Sequence, residues 1–211
     1  ANWNSDKSIW ELVVKEKEQF KNMTCSFLFL CGGYYSYSKP HMPDFKNQGN
    51  FAGQIIHPQF WNNQIDYASK KIIVIGSGAT AVTLVPAIAE TAAHVTMLQR
   101  SPSYVVSWPS EDAKNKFLKR FLPIKFTYFL VRWKNILYQS YMYFMAKKYP
   151  EKIKNSILDL ITEELGSEYD VDKHFTPSYK PWDQRVCLVP DSDLFKAIKE
   201  KKASVVTDTI K

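Results

Sequence analysis

The feature that most constrains the fold is the run from Lys70 to Ser101, KKIIVIGSGATAVTLVPAIAETAAHVTMLQRS. Ile72 to Ile75 is an unbroken β-branched stretch, which reads as a parallel strand buried on both faces. Gly76-Ser77-Gly78-Ala79-Thr80-Ala81 follows at once and fits G-x-G-x-x-A. A small-residue helix is then expected over 79–91, accommodating Pro86, with a returning strand over 94–99. A glycine turn between a strand and a helix is the context in which this motif binds a dinucleotide. Gly76 makes the tight turn, Gly78 lets backbone approach a pyrophosphate, Ala81 permits close helix-to-strand packing, and the helix N-terminus faces the anion. The alternative is a βαβ unit that is only structural.

The end of the second strand decides which dinucleotide. An NAD site places an acidic residue there for the ribose 2′-hydroxyl. This chain has Gln99, Arg100 and Ser101. A guanidinium beside a hydroxyl suits a 2′-phosphate, so NADP is expected rather than NAD.

The rest of the chain is read from composition and spacing. With 211 residues, 45% hydrophobic and 23% charged, it is long enough to bury a core and too apolar to be disordered. Strands are expected at 8–14 and, buried, at 26–31 (SFLFLC), where Gly32 and Gly33 stop the chain. Residues 34–53 read as a surface loop rich in Pro, Gly, Asn and Tyr. Two or three helices are expected within 113–165. A strand at 186–189, a helix over 192–201 capped by Ser192, and a strand at 204–207 follow. Cys25, Cys31 and Cys187 form no C-x-x-C pair, so neither a disulfide framework nor a metal site is expected, and a reducing, cytoplasmic setting fits. The first 21 residues are polar and carry no export segment, and the opening reads as the middle of something, so the chain is expected to be an internal piece of a longer protein.

The net charge of +7 is local. Residues 1–112 carry 9 basic and 9 acidic side chains, whereas 113–154 carry 11 Lys or Arg against Glu151 alone. The basic side chains there alternate with aromatics, which invites a nucleic-acid or membrane-surface reading. Lys125, Arg132 and Lys134 interrupt the apolar run, so a spanning helix is not expected.

Just before the glycine turn stands a second pattern, Phe51-x-Gly53-x-x-x-His57-x-x-x-Trp61. Each residue alone has an ordinary explanation: a structural histidine and two packing anchors. Together, F-x-G-x-x-x-H-x-x-x-W followed by GSGATA resembles the fingerprint of Baeyer–Villiger monooxygenases within the flavin-containing monooxygenase superfamily. The likeness extends through CGGYY (31–35), VTMLQRSPSYVVS (95–107), VRWKN (131–135), YDVDKHFTPSYKPWDQR (169–185) and CLVPDSDLFKAI (187–198), and is similar to the ethionamide-activating type.

The resemblance implies an α/β fold: a Rossmann-like NAD(P)-binding domain with a helical insertion, plus part of an FAD-binding domain. It implies a partial FAD domain at 1–50, a fingerprint linker at 51–69, and the NADP domain at 70–211 with its insertion at about 113–165. The insertion's aromatics would pack and its lysines be solvated, leaving peripheral membrane contact as a further possibility and nucleic acid not expected. Gly76, Ser77, Gly78, Ala79, Thr80 and Ala81 would hold the NADP pyrophosphate, Arg100 and Ser101 its 2′-phosphate, and Gly33 and Tyr34 would pass beside the flavin. Arg185 matches the family's active-site arginine, which stabilises negative charge on the reacting oxygen. His57 would act as a hinge between domains rather than as a base. The implied reaction uses NADPH, FAD and O2 to oxygenate small ketones or sulfur and nitrogen compounds through a C4a-peroxyflavin. An N- or S-oxygenating flavin monooxygenase and a non-catalytic NADP-binding or membrane-surface module remain the alternatives. No second G-x-G-x-x-G precedes Gly76, so this stretch alone is not expected to bind FAD or turn over.

Overall fold

Lys71–Ile75 (β4), Ala79–Ala89 (α1) and His94–Gln99 (β5) form the expected βαβ unit in a computed structural model that describes residues 1–33, 35–62 and 64–210. β4 and β5 run parallel in the register Lys71↔His94 to Ile75↔Leu98. On the other side of β5, Ala203–Thr207 (β8) pairs in parallel, giving the order β4-β5-β8. Tyr104–Trp108 (β6) and Val186–Pro190 (β7) form a separate parallel pair.

Period-two alternation assigns the two faces of the three-stranded sheet. Val95, Met97, Ala203 and Val205 point into the core, where they meet Val82, Val85 and Ile88 of α1. Leu194, Phe195 and Ile198 of Asp193–Lys199 (α6) and Phe175 of Val171–Phe175 (α5) complete that layer, with Phe175 and Phe195 edge to face at 5.7 Å. The opposite face is uncovered: Ile73 is 63% and Ile75 56% exposed. The unbroken β-branched run therefore does not mean burial on both sides, because helices pack on one side only. Pro86 is carried inside α1, buried against the core, and the helix ends at Ala89, two residues before the expected end.

The basic segment is helical: Ala113–Phe121 (α2), Ile124–Lys148 (α3) and Pro150–Leu165 (α4). α4 contributes Ile157 and Ile161 to the core. α3 buries only Thr127 and Ala146, and most of its aromatics stay exposed. Packing of the aromatics, as the resemblance implies for this insertion, is thus not what these residues do.

Ser192 stands at the N-cap position just before α6, but its side chain does not cap the helix. Its backbone is left-handed (φ 60°), and its hydroxyl instead donates to Glu164 and pairs with Ser107 Oγ at 2.7 Å. The side chain that does cap a helix in this stretch is Asp170, which accepts from the Lys173 N–H at 3.0 Å.

The chain divides into two compact units, Ala1–Asp44 and Phe45–Lys211. The first is an antiparallel sheet of Asn2–Asn4 (β1), Ile9–Glu16 (β2) and Gln19–Cys25 (β3). The β2–β3 hairpin turns through Lys17 (φ 56°), and Trp3 faces Trp10 directly across the β1–β2 pair, rings 5.5 Å apart. The expected strand at 26–31 is absent. Pairing ends at Cys25, no strand among the described residues offers a ladder to Ser26 onwards, and Phe27, Phe29 and Leu30 are left exposed, Leu30 at 83%. An apolar run without a hydrogen-bonding neighbour cannot be a strand.

Candidate functional site

The glycine turn is built as its residue types require. Gly76 has φ 134°, a conformation only glycine adopts without strain, and its N–H donates to Leu98 O at 2.8 Å, tying the turn to the end of β5. A Cβ on Gly76 would sit 4.0 Å from that of Ala81, so the third small residue of the motif packs against the first. Gly78 occupies the N-cap of α1 in extended conformation (φ −82°, ψ −179°), and a Cβ there would meet nothing within 4 Å. The space above Gly78 is therefore open. No side chain caps α1, so the N–H groups of its first turn, including those of Ala79 and Thr80, have no intrahelical acceptor and carry the positive end of the helix dipole.

Ser77 turns inward. It is buried, its hydroxyl lies 3.0 Å from Ser103 Oγ and donates to Ser101 O at 3.3 Å, and only its backbone remains for a ligand. Arg185 completes this cluster: Nε donates to Ser103 Oγ at 3.0 Å and Nη2 to Ser77 Oγ at 3.2 Å. Neither acidic neighbour takes the guanidinium. Asp183 pairs with Lys147 at 2.6 Å and Asp191 accepts from the Ser110 N–H. Tyr179 fixes the backbone of Arg185 by donating to its carbonyl at 3.0 Å, and Tyr104 donates to Tyr179 O at 2.8 Å. Beneath the turn, the buried Cys187 thiol donates to Ser77 O, and burial pushes its pKa up, so it stays a thiol. Ser103, Tyr179 and Cys187 escaped the sequence reading, since Ser77 and Ser103 lie 26 residues apart and Arg185 a further 82 away.

At the end of β5 the chain separates two roles. Gln99 is 2% exposed, and its amide donates to His174 O and Thr207 Oγ1 at 2.7 and 2.9 Å. Arg100, the next residue, is exposed and makes no hydrogen bond or ion pair with the described residues, as is true of the Ser101 side chain. A free fork of donors beside a hydroxyl at the carboxyl end of a parallel strand can receive a phosphate.

His174 is part of the Gln99 network. Thr207 Oγ1 receives the Gln99 amide proton and is hydrogen-bonded to His174 Nδ1 at 2.8 Å. Burial, reinforced by Lys173, lowers the His174 pKa. A histidine held neutral stabilises the fold above its unfolded pKa of about 6.5, and that contribution is lost as pH falls below this value through the lowered folded pKa. Between about pH 7.5 and about pH 5 the native chain should lose more thermal stability than His174→Gln does. Parallel melting curves for the two would contradict the assignment.

The fingerprint residues also acquire geometry. The Phe51 ring lies over Gly53, where any Cβ would strike it, which explains their spacing. His57 Nδ1 accepts from the Gln59 N–H at 3.2 Å and so caps the short helix Pro58–Phe60. Trp61 packs against Tyr67 at 5.6 Å between centroids. Pro58 and Trp61 share a shallow groove of about 510 Å³ with Ala79, Thr80, Thr83, Leu84 and Ala87, so the fingerprint lies beside the turn it precedes in sequence. Gly33 (φ 69°) lies in the other unit, and Tyr34 falls outside the described residues. Among the described residues there is no second strand, glycine turn and helix of this kind.

Known proteins share both sequence and fold with this chain. A family model described as FMO-like, flavin-binding monooxygenase-like, matches residues 2–169. The FAD-containing monooxygenase EthA of Mycobacterium tuberculosis H37Rv is 50% identical over 211 residues, covering 100% of this chain and 43% of that protein. The probable FAD-binding monooxygenase AlmA of Acinetobacter baylyi is 45% identical over 212 residues, covering 100% and 42%. The chain thus spans less than half the length of these relatives. An oxidized steroid monooxygenase bound to NADP superposes with TM-score 0.67 at 17% identity, over 93% of this chain and 44% of that one. Cyclohexanone monooxygenase from Rhodococcus sp. Phi1 bound to NADP+ gives 0.63 at 16%, over 97% and 44%. The chain therefore shares the fold of the matched part of these solved monooxygenases.

Proposed function

This chain belongs to the flavin-binding monooxygenase-like family, and from that premise we propose that it supplies the NADP-binding domain of a Baeyer–Villiger-type monooxygenase that oxygenates small ketones or sulfur and nitrogen compounds with NADPH and O2. In this reading residues 70–211 are the NADP domain, 51–69 the fingerprint linker, and 1–50 part of an FAD domain. The observation that carries it is the open space at Gly78 beside the unpaired Arg100, at the carboxyl end of the parallel strands.

The residues present fit NADP. The backbone from Gly76 to Thr80 and the first turn of α1 bind the pyrophosphate, Ala81 keeps the helix close to the strand, and Arg100 with Ser101 holds the 2′-phosphate. They do not by themselves make a flavin site, so FAD enters the proposal through the family, with Gly33 and Tyr34 as its neighbours. The chemistry supplied by the bound cofactors is hydride transfer and activation of O2. Arg185 contributes a fixed cation where negative charge develops, held by Ser77, Ser103 and Tyr179 so that it need not reorganise. Trp61 lies beside α1, and His57, which caps the short helix before it, serves as a hinge between domains rather than as a base. Three free thiols support a reducing, cytoplasmic location.

Arg100→Ala should weaken NADPH binding by about 10- to 100-fold, about 1.4–2.8 kcal/mol, and leave NADH binding unchanged. Equal losses for both would remove Arg100 from the 2′-phosphate site. The reaction itself is tested with the whole, FAD-loaded protein, NADPH and labelled O2, offered a cyclic ketone and a thioether. Label in an ester or a sulfoxide is expected, and the product tells ester-forming from heteroatom oxygenation. NADPH oxidation with no labelled product from either would overturn the proposal.

A further inference from the structure

α3 is apolar on two sides, and only one of them is packed. Thr127, Val131, Met142, Met145 and Ala146 are buried or half-buried along the side that faces the protein. At 100° per residue, the opposite side carries Phe126, Phe129, Trp133, Leu137 and Phe144, all at least half exposed, with Trp133 at 50% and Leu137 at 64%. From Phe126 to Phe144 this stripe is about 27 Å long. Phe129 and Trp133 meet edge to face at 6.3 Å within it. A helix apolar all round is normally buried, so the stripe is an unpartnered face.

Charge selects the occupant. Lys125 and Arg132 border the stripe on one side and Lys148 on the other, while Glu151 is the one acidic residue among 113–154. Among the described residues, Lys116 pairs with Glu111, Lys134 with Asp112 and Lys147 with Asp183. Lysine is depleted in protein–protein interfaces, and base stacking makes no use of an aliphatic side chain such as Leu137. Aromatic and leucine side chains on one face with lysine and arginine at its borders suit the interface of an anionic bilayer. None of the described helices is long and apolar enough to cross a membrane.

We propose that the outward face of α3 is a docking surface for anionic membrane lipid, independent of the dinucleotide site. The whole protein is sedimented with phosphatidylcholine vesicles containing about a quarter phosphatidylglycerol, and with phosphatidylcholine alone. Partition into the anionic vesicles should be at least about tenfold greater and should fall with added salt. Phe129→Ser, Trp133→Ser and Leu137→Ser together should reduce it at least about tenfold, with NADPH affinity unchanged because none of the three touches the glycine turn. Lys125→Glu with Arg132→Glu should do the same by reversing the border charge. Absence of binding, equal binding to both vesicles, or full binding by the serine variant would each overturn the proposal. So would a dimer that the serine variant dissolves, with no vesicle binding, since the face would then serve a second copy of the chain.

Discussion

Gly78→Val should abolish NADPH binding while leaving the fold intact, with affinity falling at least about 100-fold, about 2.8 kcal/mol. The backbone at Gly78 is extended, a conformation valine adopts readily, and its Cβ would enter space that holds no protein atom. Valine is a poorer N-cap than glycine, which sets the stability cost at about 1 kcal/mol. The new side chain would occupy the space in which a ligand lies against the turn. Gly76→Ala is the matched control: there φ is 134°, so the penalty, about 1–3 kcal/mol, falls on the fold itself. Thermal melts and a fluorescence titration separate the two effects. A Gly78→Val variant that binds NADPH like the native chain would show that nothing occupies this space.

Arg185→Ala should lower turnover of the whole protein by about 10²–10³, the range for removing a fixed donor that stabilises developing charge. The geometry adds a second consequence. The guanidinium joins Ser77 to Ser103, and through Ser77 it supports the glycine turn. Its removal should therefore also raise KM for NADPH several-fold, although the direct Ser77–Ser103 contact at 3.0 Å survives. Arg185→Lys keeps the charge but not the fork that reaches two hydroxyls at once, so it should recover part of the turnover and little of the KM. Unchanged turnover in steady-state kinetics of Arg185→Ala would confine the residue to structure.

How much of this was legible in the sequence depends on range. The βαβ unit, its glycine turn and Arg100 are local in sequence, and strand, turn and helix signals agree with one another from Ile72 to Ser101. The run SFLFLC misleads because strand formation depends on a partner, which no local signal supplies. Ile73 and Ile75 mislead in the same way, since an apolar run does not say how many faces are covered. Strand β6 was hidden in YVVSW behind the Ser-Pro-Ser that precedes it, and the β2–β3 hairpin behind its charged residues. Ser192 sits where a sequence places a cap, but its left-handed backbone sends the hydroxyl to Glu164 and Ser107. The serine–arginine cluster was illegible as geometry because it joins residues up to 108 positions apart, even though Arg185 itself stood out by resemblance.

The central claim is that this turn binds a dinucleotide bearing a 2′-phosphate, and equilibrium titration of the protein with NADPH and separately with NADH, followed by tryptophan fluorescence, tests it most directly. Tighter binding of NADPH by at least about tenfold, about 1.4 kcal/mol, is the expected result. Equal affinity for the two, or binding of neither by a protein that melts cooperatively, would contradict it.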